Sequence, residues 1–182
     1  MKLNKILMSV GAALIFTSTA SFAAPADLSP TTGKIQFDGT LVNSACGLAA
    51  GQSPLQVSFG EIPISSLKDG KRVPIKEQQE IKLQNCDLTL AQHATITYQP
   101  NTVSPTDDSL AAMVSGTAKG AGIGLTDNAN RDVKWGQASA QLTLQDGETV
   151  VPFYAYLKAD SASGTVVPGT FTSQISFKIE YQ

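Results

Sequence analysis

The chain has 182 residues, 42% hydrophobic and 15% charged, with a formal net charge of −2. That is enough apolar material for one ordinary domain with a core, and a mildly acidic chain without a Lys/Arg cluster is a poor partner for nucleic acid. Two cysteines and one histidine cannot close a four-ligand zinc site, so no metal or cofactor is expected.

The first residues read as an address. Lys2 and Lys5 precede a mostly apolar run from Ile6 to Phe16, and a small, polar stretch ends in Ser21-Phe22-Ala23. This is the pattern of a secretory signal peptide cleaved after Ala23, too short for a membrane-spanning helix. Removing those 23 residues from 182 leaves 159. In the oxidising compartment such a chain enters, Cys46 and Cys86 are expected to form one disulfide. Closing a loop of about 40 residues is worth roughly 4 kcal/mol in the chain-entropy description.

From Ala24 to Thr32 the chain holds two prolines and little apolar content, and then Gly33, Ile35 and Phe37 alternate with Lys34, Gln36 and Asp38. This is either a first strand behind a loose tail or an arm that becomes a strand only when paired with another chain. Further on, period-2 alternation recurs: Leu55, Val57 and Phe59; Ile81 and Leu83; Ala94, Ile96 and Tyr98; Val133 and Trp135; Leu142 and Leu144. Val150 to Leu157 is nearly continuous in strand formers, with Pro152 expected at a strand start or an irregular edge. Turn chemistry separates these runs at Lys68-Asp69-Gly70, Pro100-Asn101, Asp127-Asn128, Asp146-Gly147 and Ser163-Gly164. Many short strands at such spacing predict an all-β sandwich, with a single helical turn near Ser109–Val114.

At the C-terminal end, Phe171, Ile175, Phe177, Ile179 and Tyr181 hold the odd positions, with Ser173 the polar member, and every even position from Thr172 to Gln182 is polar. The alternation predicts a long strand with one strongly apolar face, either the last core strand of a closed sandwich or a strand held by something else.

Candidate chemistry is sparse. Any Ser-His-Asp arrangement must use His93, which shares parity with the polar Thr95 and Thr97 and is expected to face solvent. Asp107-Asp108, beside Pro105, reads as a solvated loop, and Trp135 as a core or sheet residue. Gly120, Gly122 and Gly124 lead into a strand rather than a helix, which a phosphate cradle would need. Neither catalysis nor a cofactor is expected.

Several landmarks, in order, resemble the chaperone–usher pilins, close to the type 1 fimbrial subunits. They are Phe37-Asp38-Gly39-Thr40-Leu41-Val42-Asn43-Ser44-Ala45-Cys46, Val57-Ser58-Phe59-Gly60-Glu61-Ile62, Leu83-Gln84-Asn85-Cys86-Asp87 and Gly122-Ile123-Gly124-Leu125-Thr126-Asp127. A penultimate Tyr181 and Gly169, fourteenth from the end, complete the set.

The resemblance implies an incomplete immunoglobulin-like β-sandwich, six-stranded because its final strand is missing, with an N-terminal donor-strand extension. It implies a signal peptide over 1–23, a donor arm over 24–37 and a pilin domain over 38–182. Gly33, Ile35 and Phe37 would belong to the donated strand. Gly169, Phe171, Ile175, Phe177, Ile179 and Tyr181 would line the acceptor groove that a periplasmic pilus chaperone grips first. An outer-membrane usher would then exchange the chaperone for the arm of the next pilin subunit, building a homopolymeric fimbrium on the bacterial surface. A minor, adaptor or tip-associated pilin would carry the same landmarks. Leu28 departs from the pattern, because it stands at even parity against Gly33, Ile35 and Phe37 and leaves the arm's register before Gly33 open.

Overall fold

The computed structural model describes residues 29–161 and 165–182. The expected signal peptide, Leu28 and the turn at Ser163-Gly164 lie outside these residues. The chain divides into two units between Gly39 and Thr40. In the first, residues 29–39 form neither strand nor helix, and all of them are exposed.

The second unit is built from short strands. The larger sheet is six-stranded and runs β1 (Gly47–Leu48), β3 (Gln79–Cys86), β9 (Gly147–Ala159), β7 (Ala121–Thr126) and β5 (Ala111–Ala112), with β2 (Arg72–Pro74) also paired to β9. A three-stranded sheet runs β11 (Ile175–Tyr181), β4 (His93–Pro100) and β8 (Leu142–Thr143). β6 (Ser115–Gly116) and β10 (Phe171–Thr172) form a separate two-stranded ribbon. All the named pairs are antiparallel.

Alternation along each strand sends one set of side chains between the two larger sheets. Ile81 and Leu83 of β3, Ala94 and Ile96 of β4, and Val151 of β9 are buried there in one cluster. Cys46 and Cys86 are both buried and joined, tying the segment ahead of β1 to the end of β3. Beside the bridge the Asp87 N–H donates to the Ala45 carbonyl at 2.8 Å.

Four expectations need correction in whole or in part. No helical turn forms near Ser109–Val114. Leu110 donates its N–H to the Asp107 carbonyl, and Ala111–Ala112 pairs with β7, because Ala111 and Leu110 go into the core. A 3-10 stretch, Ile64–Gly70, appears instead where only its end, the turn at Lys68-Asp69-Gly70, is expected from sequence. Pro152 sits inside β9, the longest strand, opposite Glu80. Ile75 N–H donates to Ala155 O, and Asp160 N–H to Gly120 O, so odd residues of β9 face β2 and β3 while even ones face β7. The pairing with β7 begins only at Tyr154, so Pro152 lies beyond it and no ladder N–H is needed there. Asp107 is no free loop acid: Lys158 Nζ donates to it at 2.8 Å, with both side chains mostly withdrawn from water.

The glycines of β7 have a packing reason rather than a phosphate-binding one. A Cβ at Gly124 would overlap the Tyr156 ring, and one at Gly122 would come within 2.8 Å of the Leu110 Cβ.

Asp127 fastens the loop after β7. Its carboxylate, 4% exposed, accepts from the backbone N–H groups of Ala129, Arg131 and Ala140 at 2.9 Å and from the Arg131 guanidinium at 3.0 Å. Burial alone would raise its pKa, but these donors outweigh it and hold the carboxyl below its ordinary value. A depressed folded-state pKa stabilises the fold above the unfolded-state value, near 4 by reference, and that stabilisation disappears as pH falls through the folded value. Asp127→Asn is expected to lower stability near neutral pH by roughly 1–3 kcal/mol, because several N–H groups lose their acceptor. It should also flatten the stability profile below about pH 5. Urea unfolding of the two proteins across pH 3–7 checks both.

Candidate functional site

The site is an open sheet edge. β11 pairs on one side with β4, in the register Phe177↔Tyr98, Ile179↔Ile96 and Tyr181↔Ala94. Beyond that strand, Gln182 and His93 exchange N–H···O bonds at 2.8 and 2.9 Å, and the Asn101 N–H donates to Gln174 O at 3.0 Å. Bonded and non-bonded positions alternate in an antiparallel pair. The even residues of β11 therefore aim their N–H and C=O at β4, and the odd residues aim theirs away from it. The far side of β4 agrees, since Ile96 O and Tyr98 O accept from Ser139 and Gly136. Among the described residues no strand lies on the other side of β11.

The odd residues thus carry both halves of a strand-binding site. Their backbone groups face an empty edge. Their side chains, Ile175, Phe177, Ile179 and Tyr181, are half-buried against the core cluster, while the even residues are exposed.

The opposite wall is the segment 55–62. Leu55, Val57 and Phe59 are half-buried and alternate with exposed residues, as in a strand, and Ile62 is half-buried two exposed residues further on, yet among the described residues no strand pairs with them. Phe59 faces Phe171 with ring centroids 5.9 Å apart. Between this segment and the stretch from Val166 to Phe171 lies a cavity of about 630 Å³, floored by Leu67, Met113, Ala121 and Leu157. The groove is therefore wide at the β10 end. At the β11 end the Tyr181 hydroxyl donates to the Cys46 carbonyl at 3.2 Å, so the penultimate aromatic closes the groove against the disulfide. Burial of the Tyr181 phenol raises its pKa.

Gly169 sits where the chain enters β10. A Cβ there would run into Thr117 Oγ1 and come within 2.6 Å of the Ala118 N. That close approach lets the Thr117 and Ala118 N–H groups donate to Thr170 O at 3.0 and 3.1 Å, and it sets the direction in which β10 starts.

The sequence-predicted residues fall into two groups. Ile175, Phe177, Ile179 and Tyr181 lie on the edge strand β11, while Gly169 and Phe171 lie at the preceding β10 ribbon and line the cavity; Cys46 meets β11 through Tyr181. Gly33, Ile35 and Phe37 lie in the first unit, with Ile35 81% and Phe37 87% exposed. The opposite wall was missed as a site. Its alternation was visible, but nothing in one strand's periodicity tells whether a neighbour is present. His93 was expected in solvent. It is half-buried, because β4 lies between β8 and β11, and its Nδ1 is shielded from water. Among the described residues no cluster of His, Cys, Asp and Glu could hold a metal ion.

Comparison with known proteins gives the same picture. Residues 35–182 match the family model described as "Fimbrial protein". The chain is 44% identical over its full length to the full-length "Major fimbrial subunit" of Proteus mirabilis (strain HI4320). It is 38% identical, again over the whole of both chains, to the "Fimbria A protein" of Serratia marcescens. Among solved structures, a chaperone–usher pilus chain superposes with a TM-score of 0.71 at 26% identity, covering 87% of this chain and all of the other. The P pilus rod subunit PapA shares the fold, with a TM-score of 0.63 at 24% identity over 76% of this chain and all of the other. A sandwich with an open C-terminal edge, a Cys46–Cys86 bridge and full-length fimbrial relatives leads to one conclusion: the chain belongs to the fimbrial protein family and is a structural subunit of a fimbria.

Proposed function

We propose that this subunit polymerises by donor-strand exchange, residues 24–37 of one copy completing the open sandwich, residues 38–182, of the next. On this reading, residues 1–23 are a signal peptide removed during export through the periplasm. The observation that carries the reading is the free edge of β11, where unpaired backbone groups and half-buried apolar side chains belong to the same odd residues. A strand with both features satisfies an incoming strand twice, through main-chain bonds and through side-chain burial. Gly33, Ile35 and Phe37 supply the donated strand, and Gly169, Phe171, Ile175, Phe177, Ile179 and Tyr181 the receiving wall.

A bare edge of this kind is also an aggregation hazard. The periplasmic chaperone covers it before the outer-membrane usher passes the subunit to its neighbour. Each seated apolar side chain contributes about 1.5–3 kcal/mol, and with a continuous ladder the joint reaches the upper range of protein affinities before association costs. Head-to-tail joints that do not close on themselves make a filament. A shaft role is favoured over an adaptor or tip role by the full-length relative named as a major subunit. Catalysis has no part in this reading.

Deleting residues 24–36 should leave the disulfide and the chaperone complex intact and abolish fibre growth. Electron microscopy of the cells and a pull-down on the chaperone read the two outcomes, and normal fibres from the truncated subunit contradict the donor role. Phe177→Asp should cost several kcal/mol of chaperone binding by placing a charge in an apolar groove. Loss of the complex and periplasmic degradation are expected, and an intact complex at normal abundance removes Phe177 from the groove.

A further inference from the structure

The outer face of the larger sheet, away from the core, carries an opposition that a strand pair normally avoids. Arg72 of β2 and Lys158 of β9 stand directly opposite each other, and like charges in that relation repel. Each is claimed by an acid from another part of the chain. Arg72 donates to the two Asp132 oxygens at 2.6 and 2.7 Å, and Lys158 Nζ donates to Asp107 at 2.8 Å.

Both acids come from beyond β7. Gly120 O accepts from Asp160, so even residues of β7 face β9 and odd ones face away from it. On that far side Val133 N–H donates to Leu125 O, and Ala111, which follows the Asp107 loop, pairs with Ile123. The Arg72–Asp132 bond therefore crosses both β9 and β7. Gly124 leaves room for it: the Tyr156 ring occupies the space a Cβ would take, and the Arg72 guanidinium lies 4.4 Å from that ring's centroid. The two pairs also act on each other. The Arg72 hydrogen bonds hold the Asp132 carboxyl below its ordinary value against the opposing effect of burial, and Lys158 adds to them. The Asp132 hydrogen bonds in turn raise the Arg72 value, with a contribution from Asp107.

We infer that these four charges form a conditional clasp: β2 stays seated on β9 only while Asp132 and Asp107 both hold their cations. β2 is three residues long, so its ladder alone is a weak hold. An exposed ion pair is ordinarily worth little. Here a missing acid also uncovers the repulsion between Arg72 and Lys158. The seat of β2 matters for the cavity, because Val73, on its inner side, packs in one cluster with Leu67 and Leu157 of the cavity floor. A clasp on the outer face thus fixes the floor on the inner one, whether or not residues 24–37 fill the groove.

Residue-resolved amide hydrogen exchange on the purified subunit and its variants tests this. The N–H groups of Val73 and Ile75 point at β9 and report on β2, while those of Ile81 and Leu83 report on β3 along the same strand. Asp132→Asn should speed exchange at Val73 and Ile75 about three- to tenfold and leave Ile81 and Leu83 within about twofold of wild type. Adding Lys158→Met removes the opposing charge and leaves Asp107 to Arg72. It should return Val73 and Ile75 to within about twofold of the wild-type rate. Unchanged exchange at Val73 and Ile75 in the single variant, or no recovery in the double one, overturns the clasp. Equal acceleration at all four amides overturns it too, because the loss is then global rather than confined to β2.

Discussion

The structure depends on one constraint: among the described residues, β11 has a neighbour on one side only. Its even residues spend their hydrogen-bonding groups on β4, and its odd residues have theirs left over at an edge that also carries apolar side chains. Most edge strands are protected by charge, proline or a bulge. β11 places its charges, Lys178 and Glu180, at even positions, where they face solvent and contact each other at 3.1 Å, and leaves the edge itself bare. The sandwich is therefore held open along a line, and the rest of the molecule serves to keep that line straight and the groove beside it formed.

Several features keep the two walls apart without a strand between them. The Cys46–Cys86 bridge fixes the segment ahead of β1, and Tyr181 reaches its Cys46 carbonyl. At the other end Gly169 brings β10 close enough to the 117–118 backbone for direct hydrogen bonds. Leu67 forms part of the cavity floor, and Phe59 packs against Phe171 across it. Asp127 fastens the loop that leads to Val133 and Trp135, which pack in the core cluster with β4 residues.

Much of this was legible in the amino-acid sequence because strand parity is a strong signal where one face is buried. The odd-position run predicted the apolar face of β11 from Ile175 to Tyr181, but the expected long strand is broken: Phe171 pairs with β6 in a separate ribbon rather than continuing β11. The cysteine pair was legible from compartment and count. What parity cannot report is the presence of a neighbour: Leu55, Val57 and Phe59 alternate as well as any strand, yet they stand without one. Local signals also misled where tertiary packing overrode them. Ala111 was read as part of a helical turn, but burial against β7 draws it into a strand. Pro152, expected at a strand start or an irregular edge, stands inside β9 on a stretch bordered on one side only, so its missing N–H has no consequence. The depth of His93 follows from β4 being central, which only the sheet order reveals.

The most direct measurement is residue-resolved amide hydrogen exchange on the subunit lacking residues 24–36 and on assembled fibres. In the truncated subunit, Ser176, Lys178 and Glu180, bonded to β4, should be protected while Phe177, Ile179 and Tyr181 exchange freely, and in fibres both sets should be protected. Protection of the odd residues in the lone truncated subunit would mean that β11 already has a permanent internal partner, and the open-edge description would be wrong.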